Sequence, residues 1–107
     1  NINADTIAAE IAVQLKAEKL IMLSDVNGIY LDAADETSKL SRLTASEAAE
    51  MIEAGRAAGG MIPKLQNLIS LLGRGVRSAH VIGGSVRNAL LSEVFTDQGT
   101  GTMVVAE

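Results

Sequence analysis

The 107 residues include no cysteine and no tryptophan, and only one histidine, one tyrosine, one phenylalanine and one proline. Without cysteine there is neither a disulfide nor a thiolate metal site. With His80 as the sole imidazole, one chain cannot assemble a multi-histidine metal centre. Aromatics make up 2% of the residues and hydrophobic residues 48%, so the core must be aliphatic, built from Ile, Leu, Val, Met and Ala. No apolar run approaches the roughly 18 residues of a membrane span, and no signal or transit peptide is visible. Basic residues are outnumbered 9 to 13, with a formal charge of −4 and a pI near 4.9. A general nucleic-acid surface, which needs a basic stripe, is therefore not expected. Nucleotide binding asks for only a few local donors and stays open. The length suits one domain with a modest core.

Helical and extended patterns alternate along the chain, without repeats or low-complexity tracts. Residues Ala4 to Ala17 predict a helix with Ala4, Ile7, Ala8, Ile11, Ala12 and Leu15 on its buried face, opened by Asn3 as cap and Asp5 in the first turn. Leu20 to Leu23 predict a strand buried on both faces, followed by Ser24, Asp25 and a turn through Asn27-Gly28. Ile29 to Leu31 and Lys39 to Leu43 suggest short extended pieces joined by a polar loop, Asp32 to Ser38. Thr44-Ala45-Ser46-Glu47 fits a capping box, with a helix to about Ala54 and Gly55 as its stop. The next helix carries Ile62, Leu65, Ile69 and Leu72, with Pro63 in its first turn and Gly73 and Gly75 at its end. Ala79 to Ile82 predict a second buried strand, Val86 to Phe95 a helix with Val86, Leu90 and Val94 in register, and Met103 to Val105 a last strand. This order predicts an α/β fold with a mainly parallel sheet. Ligands of such sheets gather at the carboxyl ends of strands, where Ser24-Asp25 and Gly83-Gly84 fall.

The segment Gly59-Gly60-Met61-Ile62-Pro63-Lys64 stands out chemically: a glycine pair opens a helix that carries a lysine in its first turn. A helix N-terminus presents unpaired N–H groups and a positive dipole end, and glycine lets a ligand approach the backbone. Lys64 is thus a candidate for holding a transferring phosphoryl group, against the plain alternative of a solvated surface lysine. Asp5 is explained by its own helix N-terminus alone, and Asp25 by a turn after a strand. For His80 the expectation is a strand histidine with a satisfied hydrogen bond, and for Glu93 an exposed helix position. Neither a Walker-type lysine loop nor a dinucleotide fingerprint is present.

Four stretches in order, Asn1-Ile2-Asn3-Ala4-Asp5, Leu23-Ser24-Asp25-Val26-Asn27-Gly28, Gly59 to Lys64 and Phe95 to Met103, resemble the C-terminal half of the acetylglutamate kinases, within the amino-acid kinase family. The Ser-Asp-Val-x-Gly and Gly-Gly-Met segments are shared with glutamate 5-kinases. The Asn-x-Asn-Ala-Asp opening and the Met-Ile-Pro-Lys form are more specific to the acetylglutamate branch. The resemblance implies a three-layer α/β/α sandwich, with residues 1–107 as the C-terminal nucleotide-binding half of one kinase domain. It implies transfer of the γ-phosphate of MgATP, its Mg²⁺ held mainly by the nucleotide, to the side-chain carboxylate of N-acetyl-L-glutamate in arginine biosynthesis.

Carried over by residue, the resemblance makes Lys64 and Asp5 catalytic, Lys64 by stabilising the migrating phosphoryl group and Asp5 by organising the lysines. Asn1 would bind acetylglutamate. Ser24, Asp25, Gly28, Tyr30, Ala58, Gly60 and Met61 would lie near the nucleotide, although Tyr30 stands where an aliphatic residue is usual. Glu93, Gly99 and Gly101 resemble the feedback site of arginine-inhibited members, so a non-catalytic arginine-sensing module is an alternative, as is half of a glutamate 5-kinase. The family's phosphate loop, second catalytic lysine and substrate-gripping arginine belong to the N-terminal half, so this stretch alone is expected to be inactive and to come from a longer protein. That protein is expected to be a cytoplasmic homo-oligomer, or a plastid one, that binds neither nucleic acid nor membrane.

Overall fold

The computed structural model describes residues 4–32, 34–57, 60–85, 87–95 and 100–106. Helix α1 spans Ala4–Gln14, and strand β1 spans Lys19–Ser24. A small antiparallel hairpin follows, β2 (Ile29–Tyr30) pairing with β3 (Lys39–Leu40) across a loop that holds a 3₁₀ turn at Glu36–Ser38. Then come β4 (Arg42–Thr44), α2 (Ala45–Glu53), α3 (Met61–Gly73), β5 (Ser78–Gly83), α4 (Ala89–Phe95) and β6 (Thr102–Val105). The main sheet has the order β1-β5-β6-β4. β1 runs parallel to β5 and β4 parallel to β6, while β5 and β6 are antiparallel. Two of its three pairings are thus parallel, as expected.

Alternation along β5 explains the layers. Ala79 and Val81 join the core with Leu65, Leu68 and Leu71 of α3, Met51 of α2 and Ala9 and Ala12 of α1. His80, between them, points to the opposite face and meets Glu93 of α4. Helices α1, α2 and α3 therefore cover one face of the sheet and α4 the other, a three-layer α/β/α sandwich.

Local chemistry sets the helix ends. Thr44 and Glu47 form the expected capping box, each side chain reaching the other residue's backbone N–H. Each of the first three helices ends in a Schellman motif, with paired 6→1 and 5→2 bonds around one left-handed residue. That residue is Gly55 after α2 (φ +72°) and Gly75 after α3 (φ +107°). After α1 it is Lys16 (φ +55°), with Ala17 N–H donating to the Ala12 carbonyl, which stops the helix at Gln14 rather than Ala17.

Several expectations are corrected. In α1 the buried residues are Ala9 and Ala12, while Ile7, Ile11 and Leu15 are 47%, 52% and 75% exposed. Small side chains let α1 lie close to α3, and the larger apolar residues take the outer face. β1 is an edge strand rather than a strand buried on both faces: Met22 is buried and Leu23 is exposed. Lys39 to Leu43 is not one extended piece but two strands in two sheets, broken at Ser41. The buried stripe of α3 is Leu65, Leu68, Leu71 and Leu72, with Ile62 and Ile69 at its margin. In α4, which begins at Ala89, Ala89 is buried, and Leu90 and Val94 are exposed rather than inward. Glu93, expected on the exposed face, has its side chain turned inward and only 6% exposed. Asn3, as cap, and Val86 lie outside the described residues.

Candidate functional site

β1 and β5 end side by side, Ser24 opposite Gly83, and the Gly84 N–H donates to the Ser24 carbonyl at 2.8 Å. The chain then turns. Ser24 Oγ accepts from the Val26 N–H at 3.2 Å, and Gly28 adopts φ +144°. Gly28 has no room for a side chain, because a Cβ there would come within 2.8 Å of Thr102 Oγ1. Thr102 is the fastener of this region. Fully buried at the start of β6, its hydroxyl accepts from the Ile29 N–H at 2.8 Å and donates a short hydrogen bond to the Leu40 carbonyl. One hydroxyl thus ties the β2–β3 hairpin to the main sheet. A second tie runs from Lys39 Nζ to the Thr100 carbonyl at 2.7 Å.

Between the β1 end, this hairpin and the start of α3 lies a cavity of about 500 Å³. Ser24, Asp25, Gly28, Tyr30, Gly60, Met61 and Lys64 all line it. The structure thus gathers around one space the residues that the resemblance assigned to the nucleotide, together with the lysine. Asn1, Ala58 and Gly99 lie outside the described residues. Glu36, Met51 and Arg56 also line the cavity, and sequence reasoning missed them. Met51 reads as core on the helical stripe of α2, and nothing local marks Glu36. Arg56 directly follows the glycine that stops α2, a position from which a side chain can project, and this is a local signal for it.

Lys64 is not a solvated surface residue. Its side chain is 16% exposed and its ammonium meets Asp5 Oδ2 at 2.5 Å. Asp5 is the second residue of α1 and Lys64 the fourth of α3, so the pair joins the first turns of two helices at the edge where β1 ends. The first turn of α3, which carries the lysine, has backbone N–H groups without intrahelical partners. Both the lysine and the helix end favour negative charge in the cavity, and Asp5 limits the net positive charge and orients the lysine. Among the described residues, no cluster of three or more Asp, Glu or His side chains is placed to hold a metal ion.

Glu93 belongs to a different place. A carboxylate only accepts, so His80 Nδ1 carries the proton it donates to Glu93 Oε2 at 2.8 Å. Glu93 Oε1 accepts from the Thr100 N–H at 2.9 Å and the Gly101 N–H at 3.1 Å. Burial pushes the Glu93 pKa up, but His80 and the two N–H groups outweigh it and hold the carboxyl below its ordinary range. Gly101 is equally constrained, since a Cβ there would collide with the Val81 carbonyl and with Ile82. His80 is the satisfied strand histidine expected of it.

Comparison with known proteins identifies the family and the fold. The family model described as the amino acid kinase family matches residues 1–83. The acetylglutamate kinase of Symbiobacterium thermophilum is 54% identical over 105 residues, which are 98% of this chain and 36% of that protein. That of Prochlorococcus marinus is 56% identical over 98% of this chain and 34% of its own length. The chain thus spans about a third of the length of the curated relatives it matches. Among solved structures, N-acetylglutamate synthase from Neisseria gonorrhoeae, complexed with coenzyme A and L-arginine, superposes with a TM-score of 0.87 at 31% identity, over all of this chain and 24% of that one. A lysine–aspartate pair beside a helix N-terminus, a cavity at the strand ends and a family match over residues 1–83 coincide in one molecule, which belongs to the amino acid kinase family.

Proposed function

We propose that this chain is the nucleotide-binding part of an acetylglutamate kinase, which moves the γ-phosphate of MgATP to the side-chain carboxylate of N-acetyl-L-glutamate. The observation that carries the reading is Lys64, largely withdrawn from solvent, paired with Asp5 and set in the wall of the cavity. Phosphoryl transfer spreads negative charge over the equatorial oxygens of the moving group, and catalysis consists largely of positioning and charge stabilisation. Lys64, held in place beforehand by Asp5, supplies that charge without reorganising. The N-terminus of α3 adds N–H donors. Mg²⁺ is carried by the nucleotide phosphates and neutralises part of their charge. Ser24, Asp25, Gly28, Tyr30, Gly60 and Met61 form the nucleotide's walls; Ala58 joins them and Asn1 binds acetylglutamate. The 107 residues alone bind nucleotide without turning over, because the remaining catalytic groups come from the rest of the enzyme. Phosphorylation of acetylglutamate by the isolated, contaminant-free 107-residue chain would contradict this division of labour. Absence of acetylglutamate kinase activity in the full-length protein would contradict the reading as a whole.

A second reading concerns regulation. The Neisseria synthase was solved with L-arginine, and here Glu93 gathers the backbone of the turn at Thr100 and Gly101. We propose that this turn, with Gly99, borders an arginine site in the full-length protein, and that Glu93 shapes it by holding the backbone. An arginine titration of the wild type and Glu93→Gln tests this: lack of inhibition in the wild type, or equal inhibition of both, removes it. The full-length enzyme is proposed to be a cytoplasmic homo-oligomer. Among the described residues, no helix is long and apolar enough to cross a membrane.

A further inference from the structure

Arg56 lines the cavity but is absent from every role assigned so far. Its backbone is fixed: it follows Gly55, and its N–H donates to the Met51 carbonyl at 3.0 Å, closing the Schellman motif of α2. Its side chain is exposed and makes no hydrogen bond or ion pair with any described residue. Lys64, the other cation of the cavity wall, is already paired with Asp5. A neighbouring cavity of about 290 Å³ shares two lining residues with the large one, Met51 and Arg56. Lys64, Gly60 and Met61 line only the large cavity. Arg56 therefore stands at the end that adjoins the smaller cavity, away from the phosphate-handling lysine.

A nucleotide in this cavity with its terminal phosphate at Lys64 puts its base toward the other end. That end offers the thioether of Met51 and the guanidinium of Arg56. A guanidinium is planar, weakly hydrated and permanently charged, and it stacks on aromatic faces. We propose that Arg56 is a nucleotide-positioning residue that lays its guanidinium over the face of the nucleobase and closes the outer end of the cavity. This rests on the reading of the cavity as the nucleotide site. An unpaired arginine with a fixed backbone loses no internal partner when it folds over the base, so its stacking energy is available to binding.

The test is calorimetric titration of the full-length protein with MgATP and, separately, with magnesium tripolyphosphate, which has phosphates but no base. Arg56→Ala is expected to weaken MgATP binding about 3- to 30-fold, the range of a partly desolvated cation–π contact, and to leave tripolyphosphate binding unchanged. Arg56→Lys should recover less than half of the loss in binding free energy, because it keeps the charge and loses the plane. Equal weakening of both ligands would place Arg56 on the phosphates and overturn the proposal. So would unchanged MgATP binding, or full recovery in Arg56→Lys. Met61→Trp, which fills the cavity from the α3 side, separates the two levels. If it weakens MgATP binding and Arg56→Ala does not, only the role of Arg56 falls. If Met61→Trp has no effect, the nucleotide does not occupy this cavity and both readings fall. Because Arg56 is exposed, unfolding midpoints of its variants should match the wild type.

Discussion

The two less exposed carboxylate pairs between elements, Lys64–Asp5 and His80–Glu93, differ in what surrounds them. Lys64–Asp5 joins two helix starts with side chains 16% and 35% exposed, in the wall of a cavity. His80–Glu93 joins a strand to a helix on the other face of the sheet, with both side chains 6% exposed. The first pair keeps donors free for an incoming anion, since an ammonium has three and Asp5 uses one of them. The second is saturated: both oxygens of Glu93 are engaged by protein donors. A charged pair with unused capacity at a cavity suits chemistry, whereas one whose capacity is spent internally suits architecture.

The largest effect is expected from removing Lys64. Lys64→Ala is expected to lower kcat of the full-length enzyme on the order of 10²–10³, as for loss of one matched transition-state donor, with little change in the KM for acetylglutamate. Steady-state kinetics decide it, and a loss below about tenfold would reduce Lys64 to a structural role. Glu93→Ala should act on stability instead. It strips the partners from His80 and from two backbone N–H groups, for a loss of about 1–3 kcal/mol in urea unfolding, while kcat stays within a few-fold of wild type.

Acidity gives the same contrast without deleting an atom. The folded-state pKa of Glu93 lies below its ordinary value of 4.5. Its stabilising contribution is therefore complete above that value and is lost as pH falls through the lowered folded value. Unfolding free energy measured between about pH 5 and pH 3 should fall less steeply in Glu93→Gln than in wild type. Identical slopes would mean that the carboxylate contributes no pH-linked stability.

Thr102→Val sharpens the comparison from a third direction, because it touches neither pair. It removes the acceptor for the buried Ile29 N–H and frees the hairpin that forms one wall of the cavity. A loss of about 1–2 kcal/mol in stability should come with weaker MgATP binding, whereas Glu93→Ala should leave that binding alone. The smallest effect is expected at Arg74–Glu10, 2.6 Å apart on the surface between α3 and α1. Arg74→Ala should leave the unfolding midpoint close to that of the wild type, because exposed pairs are screened and entropically costly.

The fold is legible in the sequence where a signal is local. The capping box of Thr44 and Glu47, the stop at Gly55, the strand at Ala79 to Ile82 and the helix start from Gly60 to Lys64 each depend on residues within a turn or two of one another. It is not legible where a partner element chooses the outcome. Ile7, Ile11 and Leu15 form a helical apolar stripe, yet α1 packs through alanines because α3 lies close. Glu93 looks solvent-facing from its helix alone, yet strand β5 places His80 against it.

The candidate site divides along the same line. A lysine in the first turn of a glycine-opened helix and a Ser-Asp turn after a strand are legible in the residues alone, because periodicity and turn chemistry are properties of neighbouring residues. The packing of the whole chain makes Asp5, fifty-nine positions away from Lys64, that lysine's partner, and makes Thr102, seventy-three positions from Ile29, the fastener of the cavity wall. It alone set Arg56 on the rim of the same space. Contacts at such separations follow from strand order and helix docking, which depend on how all the elements bury their apolar surface together.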